Sequence, residues 1–175
     1  MRRLFFAFLL AALALVPTSV AASQSPATGA ERQAALESAL VVEINAVRTE
    51  HGLKPIAVSS KLSRAAAQHT REMGTDGYFE HESFDSTPFW KRIEHWYPSK
   101  RWSSWSVGEN LLYESPDLTA SEGVDMWMQS PPHRANLLSR SWREIGVSAI
   151  HFDSAPGTYE GGAVTIVTAD FGVRR

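Results

Sequence analysis

The chain has no cysteine. That single absence excludes disulfides, thiolate nucleophiles, thiolate zinc sites and lipid anchoring through a thioether. An exported protein without disulfides must depend on its core, which fits a bacterial export route better than a eukaryotic extracellular one. No Asn-x-Ser/Thr sequon is present. Several enzyme signatures are missing too: there is no Gly-x-Ser-x-Gly elbow, no phosphate-binding glycine loop and no His-Glu-x-x-His, since His81-Glu82 lacks the second histidine. Charge of either sign is scarce in excess. The formal net charge is −2, and losing Arg2 and Arg3 with a leader makes it two units more negative. Such a balance argues against nucleic-acid binding and against attraction to an anionic membrane. Lys91-Arg92 and Lys100-Arg101 read as a local solvated basic face.

Long hydrophobic runs are limited to one. Met1-Arg2-Arg3 precedes an apolar stretch from Leu4 to Val16, followed by Pro17 and the small-residue triplets Ser19-Val20-Ala21 and Val20-Ala21-Ala22. This is the layout of a secretory signal peptide over residues 1–22, too short to span a bilayer comfortably. The arginine pair faintly resembles a twin-arginine signal, but the short basic segment favours the general secretory route. The expected product is exported, periplasmic or extracellular, with no stable membrane insertion after cleavage. Residues 23–35 form a leader that is flexible at its Ala-, Ser-, Pro- and Gly-rich start, and 36–175 form one domain, a length sufficient for a single core.

Within the domain, apolar spacing predicts the elements. Leu36, Leu40, Ile44 and Val47 lie on one helical face, with Glu31, Arg32, Glu37, Glu43 and Arg48 largely off it and Gly52 closing the helix. Leu62, Ala65, Ala66, His69 and Met73 share the face of a second helix capped by Ser59 or Ser60 and ended by Gly74 and Gly77. His69 on that stripe reads as a structural histidine with a satisfied hydrogen bond. Pro88 opens a short helix through Phe89, Trp90 and Ile93. Residues 94–106 read as irregular, with Trp96, Trp102 and Trp105 either folded over the core or walling a ligand groove; the first is favoured. Val107–Tyr113 reads as a strand. A helix with Val124, Trp127 and Met128 inward stops at Pro131-Pro132, and a short helical turn follows over 133–138. Ile145–Phe152 and Ala163–Phe171 read as paired antiparallel strands.

Three polar side chains interrupt otherwise apolar or structural segments: His81, Glu109 and His133. Two imidazoles and a carboxylate in one cleft could hold a divalent cation such as Zn²⁺. They could instead act as acid and base without metal, or form a satisfied structural network with no chemistry. No other cofactor is required by the residues. Ser130, close to His133 in sequence, is a poor nucleophile candidate because adjacency is not triad geometry.

The ordered segments Asn45-Ala46-Val47-Arg48, Gly52-Leu53-Lys54-Pro55, Phe79-Glu80-His81, Gly108-Glu109-Asn110-Leu111, Trp127 to Leu138, Ile145-Gly146-Val147 and Asp170-Phe171-Gly172 resemble the CAP superfamily, also called the SCP domain. This superfamily includes cysteine-rich secretory proteins, antigen 5 (allergen V5/Tpx-1-related) and plant pathogenesis-related proteins. The resemblance runs over about residues 38–173 and is strongest to the cysteine-free bacterial branch. It implies an α+β fold, a three-layer α-β-α sandwich with a central antiparallel sheet. It also implies a cleft lined by two histidines and two acids. His81 corresponds to the first histidine and Glu109 to the acid of the Gly-Glu-Asn motif. The second acid is replaced by Ser130, the second histidine has no counterpart in Val164–Asp170, and His133 takes a place in the cleft. Relatives that bind Zn²⁺, sterols or fatty acids imply three ligand classes. The expectation is a protein that acts mainly by binding a partner protein, a lipid- or sterol-like ligand, or a metal at His81, Glu109 and His133. A metal-assisted envelope hydrolase using the same three residues and a purely structural module are the alternatives.

Overall fold

The computed structural model describes residues 25–175, so the expected signal peptide at 1–22 lies outside the described residues. In chain order the elements are β1 (Glu31–Arg32), α1 (Ala34–Glu50), β2 (Ala57–Val58), α2 (Ser60–Asp76), α3 (Phe89–Trp96), β3 (Trp105–Glu114), α4 (Ala120–Gln129), α5 (Pro131–Leu137), β4 (Glu144–Phe152) and β5 (Val164–Arg174). One sheet runs β1-β4-β5-β3, with β2 joining β4 in parallel. The β1·β4, β4·β5 and β5·β3 ladders are antiparallel. Helices cover both faces: α1, α4 and α5 on one, α2 and α3 on the other. The expected three-layer α-β-α sandwich with an antiparallel sheet is the fold observed.

Side chains on each strand alternate between the two layers. Val147, Ala149, Val167, Ala169 and Phe171 join Leu40, Ile44, Val124 and Trp127 beneath α1 and α4. Ile150, Phe152, Val164 and Ile166 join Met73 on the other side, beside a smaller group of Leu62, Ala65, Ile93 and Tyr97. β4 and α2 touch backbone to backbone at Gly146. A Cβ there would lie 2.0 Å from the Ser63 amide nitrogen and 2.1 Å from the Leu62 carbonyl carbon.

Helix boundaries follow local chemistry. Gly52, at φ +68°, stands just past the end of α1, and the Leu53 amide donates back to the Arg48 carbonyl at 2.9 Å. Gly77, at φ +73°, ends α2 in the same left-handed conformation, whereas Gly74 lies inside α2 to admit the Phe152 ring. Thr119 and Glu122 form a reciprocal capping box on α4. Pro131 and Pro132 end α4 and begin α5, where missing amide hydrogens do no harm.

Four expectations need correction. Residues 28–32 are not a loose leader: Thr28 bridges Ser154, and β1 lies on the edge of β4. Strand pairing satisfies main-chain groups there without needing a hydrophobic side chain. Glu37 and Arg48 lie inside, 7 % and 1 % exposed. Glu37 accepts from Arg32 nearby and from the distant Ala149 amide, and Arg48 donates to the Leu137 and Ser139 carbonyls far along the chain. Arg92 belongs to no solvated patch, being 3 % exposed. Residues 94–106 are regular at both ends, with α3 reaching Trp96 and β3 starting at Trp105.

Of the three tryptophans in 94–106, two fold onto the domain and Trp102 stays 46 % exposed. Trp96 and Trp105 pack against the Leu62, Ile93 and Tyr97 group, and their indole N–H groups donate to Gln68 and to the Tyr97 carbonyl. Trp102 stacks under the Arg174 guanidinium. Gly146→Ala is expected to destabilise the fold by at least the ~1–3 kcal/mol typical of overpacking, because backbone rather than a flexible side chain must yield. Urea denaturation followed by circular dichroism measures this; an unchanged midpoint would show that α2 and β4 are not in hard contact.

Candidate functional site

β3 is the last strand of the sheet, and the stretch Gly108-Glu109-Asn110 floors a cleft of about 420 Å³. His81, Glu82 and Phe89 form one wall, from the α2–α3 layer. Pro132, His133 and Asn136 of α5 form the other. All three candidates from the sequence, His81, Glu109 and His133, therefore line one cleft.

Glu109 is the fixed point. Its side chain is fully buried. His81 Nδ1 donates to Oε1 at 2.8 Å, and the Arg92 Nη2 donates to Oε2. Burial is the strongest single influence on this carboxyl and would raise its pKa. The His81 hydrogen bond together with the positive charge of Arg92 and neighbouring imidazoles outweighs it, so the carboxyl is held below the usual range. His81, about half exposed, is pushed up chiefly by its bond to Glu109. His133 moves the other way, lowered by burial and then by the His81 charge. The cleft thus holds two imidazoles with opposite tendencies, one toward the cation and one toward the neutral ring.

Arg92 and Asp170 were not singled out by sequence reasoning as site residues. Arg92 Nη1 also donates to the His81 carbonyl at 3.0 Å and to Ser83 Oγ at 3.2 Å, tying the 81–83 loop to Glu109. Asp170 faces Glu109 directly across the β3·β5 ladder. It is fully buried, and neither carboxyl oxygen has a donor partner. Burial, then the Glu109 charge, push it well above the ordinary carboxylate range. A protonated Asp170 can donate to Glu109, and the two carboxyls then carry one negative charge against Arg92. The signal for Asp170 was an acid inside a β-branched run, legible only as part of a motif. Arg92 carried no usable signal, because its exposed neighbour Lys91 makes the pair read as surface.

The remaining polar residues set the walls. Asn110 Nδ2 donates to the His133 carbonyl at 3.1 Å, and Asn136 Nδ2 to Asn110 Oδ1 at 3.0 Å. Trp142 Nε1 donates to Asn136 at 3.0 Å, and Gly108 leaves room for both, since a Cβ there would come within 2.8 Å of each. His69 is the structural histidine expected: enclosed, with Nε2–H donating to the Glu80 carbonyl at 2.8 Å. Burial lowers its pKa, and its Nδ1 lies 3.4 Å from a Glu72 carboxylate oxygen. Ser130 stands at the α4–α5 junction.

The main chain contributes as well. The Ser59 amide donates to Ile145 and the Gln33 amide to Ala149, so odd-numbered residues of β4 turn their main-chain groups away from β5. Gly146 then bonds Asp170, which leaves Glu109 pointing its own N–H and C=O outward into the cleft. Trp127 Nε1 meets the Leu111 carbonyl on that same outer edge at 2.9 Å. No protein partner among the described residues meets the Glu109 main chain.

A Zn²⁺ ion fits these residues poorly. Both Glu109 oxygens are committed to cationic or donor groups, and the buried Arg92 guanidinium would repel a metal there. Among the described residues no group of three or more His, Asp or Glu is arranged to hold one.

The profile of the CAP, cysteine-rich secretory protein, family matches residues 41–171, and the chain belongs to that family. The uncharacterized protein YkwD of Bacillus subtilis is 30 % identical over 142 residues, 76 % of this chain and 53 % of the relative. The chain thus spans about half the length of that protein. An extracellular SCP-domain protein of Bacillus anthracis superposes with TM-score 0.62 at 22 % identity, covering 81 % of this chain and 41 % of that one. An outer surface protein of Borrelia burgdorferi superposes with TM-score 0.66 at 20 % identity, covering 85 % and 99 % respectively. At such identities these two structures speak to the fold alone.

Two predictions follow the geometry. Arg92→Met leaves two carboxyls buried against each other and is expected to cost roughly 3–5 kcal/mol, as for other broken buried pairs; chemical denaturation at neutral pH reads it. Asp170→Asn should do the opposite. A carboxyl raised on folding stabilises fully below its unfolded pKa of about 3.9 and loses that contribution as pH rises through the folded value. The variant is therefore expected to gain on the wild type at pH 7 and little at pH 3.5. Equal differences at both pH values would mean Asp170 titrates alike in folded and unfolded chains.

Proposed function

We propose that this protein acts by binding, and that the cleft takes an extended polypeptide segment laid along the outer edge of β3. The observation that carries this is the outward main chain of Glu109 on an edge strand, between two histidine-bearing walls. An unpaired strand edge is a template for strand addition, where main-chain hydrogen bonds supply affinity and flanking pockets supply selectivity. Glu109 acts in this reading as a buried counter-charge. It fixes the His81 ring with Nδ1–H inward and leaves Nε2 for the ligand. His133 offers a neutral nitrogen from the other wall. Partner protein is thereby favoured over lipid- or sterol-like ligands, because two residues of the expected aromatic wall, Trp96 and Trp105, pack onto the domain and leave only Trp102 exposed.

A hydrolytic reading has one observation in its favour: the opposite protonation tendencies of His81 and His133 make an acid and base pair across the cleft. Export is also inferred. The N-terminal pattern of residues 1–22 supports it, and the two structural neighbours are described as extracellular and outer-surface proteins. Among the described residues no helix is long and apolar enough to cross a membrane.

Fluorescence polarisation against an array of short unstructured peptides tests the main reading. A binder is expected to lose about tenfold or more in affinity when backbone amides at its centre are N-methylated, at 1.4 kcal/mol per tenfold. His81→Ala and His133→Ala should each weaken it while keeping the fold. Indifference to N-methylation would sink strand addition. Mass spectrometry of the same incubations decides the hydrolytic reading: cleavage products abolished by either histidine substitution would establish it. N-terminal sequencing of the exported protein should begin at Ala22 or Ser23.

A further inference from the structure

A second concave site lies past the C-terminal end of α1, away from the cleft. Arg48, Lys54, Arg140 and Arg143 line it, with Gly52 and Leu53, around a volume of about 230 Å³. Four of its six residues are cationic and none is acidic. None of the four takes part in an ion pair among the described residues. It shares no lining residue with the cleft.

Arg48 makes this more than a surface cluster. The residue is 1 % exposed, and its guanidinium is pinned: Nε donates to the Lys54 carbonyl at 3.2 Å, and Nη1 to the carbonyls of Leu137 at 2.6 Å and Ser139 at 3.0 Å. Its Nη2 has no protein acceptor, yet is not among the sealed, unpartnered atoms. That N–H₂ group therefore opens onto the pocket. Arg143 is pinned similarly, with Nη1 donating to the carbonyls of Arg140, Ser141 and Trp142. Its remaining nitrogens are left for a ligand.

The helix end offers little opposition to an anion. The Val47, Arg48 and Thr49 carbonyls already accept from the amides of His51, Leu53 and Gly52. Burial and the nearby Arg143 charge both disfavour the Arg48 cation. A chain with net negative charge that gathers four cations without a counter-ion has a place for one.

We propose that this pocket binds a phosphate group, held by Arg48 Nη2 and by the side chains of Arg143, Arg140 and Lys54. Donors arriving from three chain segments suit an oxyanion with acceptors on all sides better than a planar carboxylate, which one guanidinium fork satisfies. The volume exceeds that of a bare phosphate and leaves room for its substituent.

Isothermal titration of the purified chain with inorganic phosphate, at ionic strength matched with chloride, tests this. Arg48 supports the fold, so the variant of choice is Lys54→Gln/Arg140→Gln, whose side chains are exposed and remote from the cleft. Saturable binding by the wild type is expected, weakened about tenfold or more in the variant, the loss that follows from one charge-assisted hydrogen bond. Equal responses of wild type and variant, or an equal response to chloride, would reduce the effect to screening and overturn the proposal. A second arm distinguishes sources. Co-sedimentation with phosphatidylglycerol vesicles, but not phosphatidylcholine vesicles, lost in the variant, assigns the group to a lipid headgroup. Phosphate binding without sedimentation assigns it to a soluble phosphoryl compound.

Discussion

Everything around the cleft depends on one buried ion pair. Glu109 and Arg92 come from a strand and a helix, and neither is in contact with bulk water. Removing both charges from solvent costs several kcal/mol per ion, and only close mutual hydrogen bonding offsets it. The pair is not isolated: Asp170 lies across the ladder from Glu109, and His81 takes its second oxygen. A proton on Asp170 would leave the two acids with one negative charge facing the Arg92 guanidinium and the His81 ring. Such an arrangement tolerates little displacement, which is why the His81 ring and the 81–83 loop are held where they are.

The fold ties the elements around this cluster to one another. Gly146 lets α2 lie against β4, and α2 in turn carries His69, whose bond to the Glu80 carbonyl holds the segment just before His81. On the opposite wall, α5 begins on two prolines, and the Asn110, Asn136 and Trp142 hydrogen bonds fasten it to β3. The other edge of the sheet is covered by β1 and β2. At the β3 edge Trp127 meets the Leu111 carbonyl, whereas the Glu109 main chain has no hydrogen-bond partner among the described residues and lies where the polar cleft side chains gather.

The two pockets use positive charge differently. In the cleft, Arg92 is neutralised inside the protein and serves to hold an acid and a histidine. In the pocket beyond α1, the arginines are anchored by carbonyls, which position a guanidinium without cancelling its charge.

Much of this could be read directly from residues. Apolar spacing located the helices and the long strands to within a few positions, because burial of one face imposes a period of 3.6 or 2 on any chain. The ordered motifs named the family, and His81, Glu109 and His133 stood out as polar residues where apolar ones would serve. Sequence also told that His69 is structural. What it could not tell was which charges lie inside. Glu37, Arg48 and Arg92 read as surface because local periodicity weighs a charge by its neighbours in sequence, whereas their partners lie at Ala149, Leu137 and Glu109. The leader's place on β4, the pairing of Asp170 with Glu109 and the outward main chain at the cleft have the same origin. They depend on strand register and order, which arise from contacts between distant segments and leave no mark on any single stretch of chain.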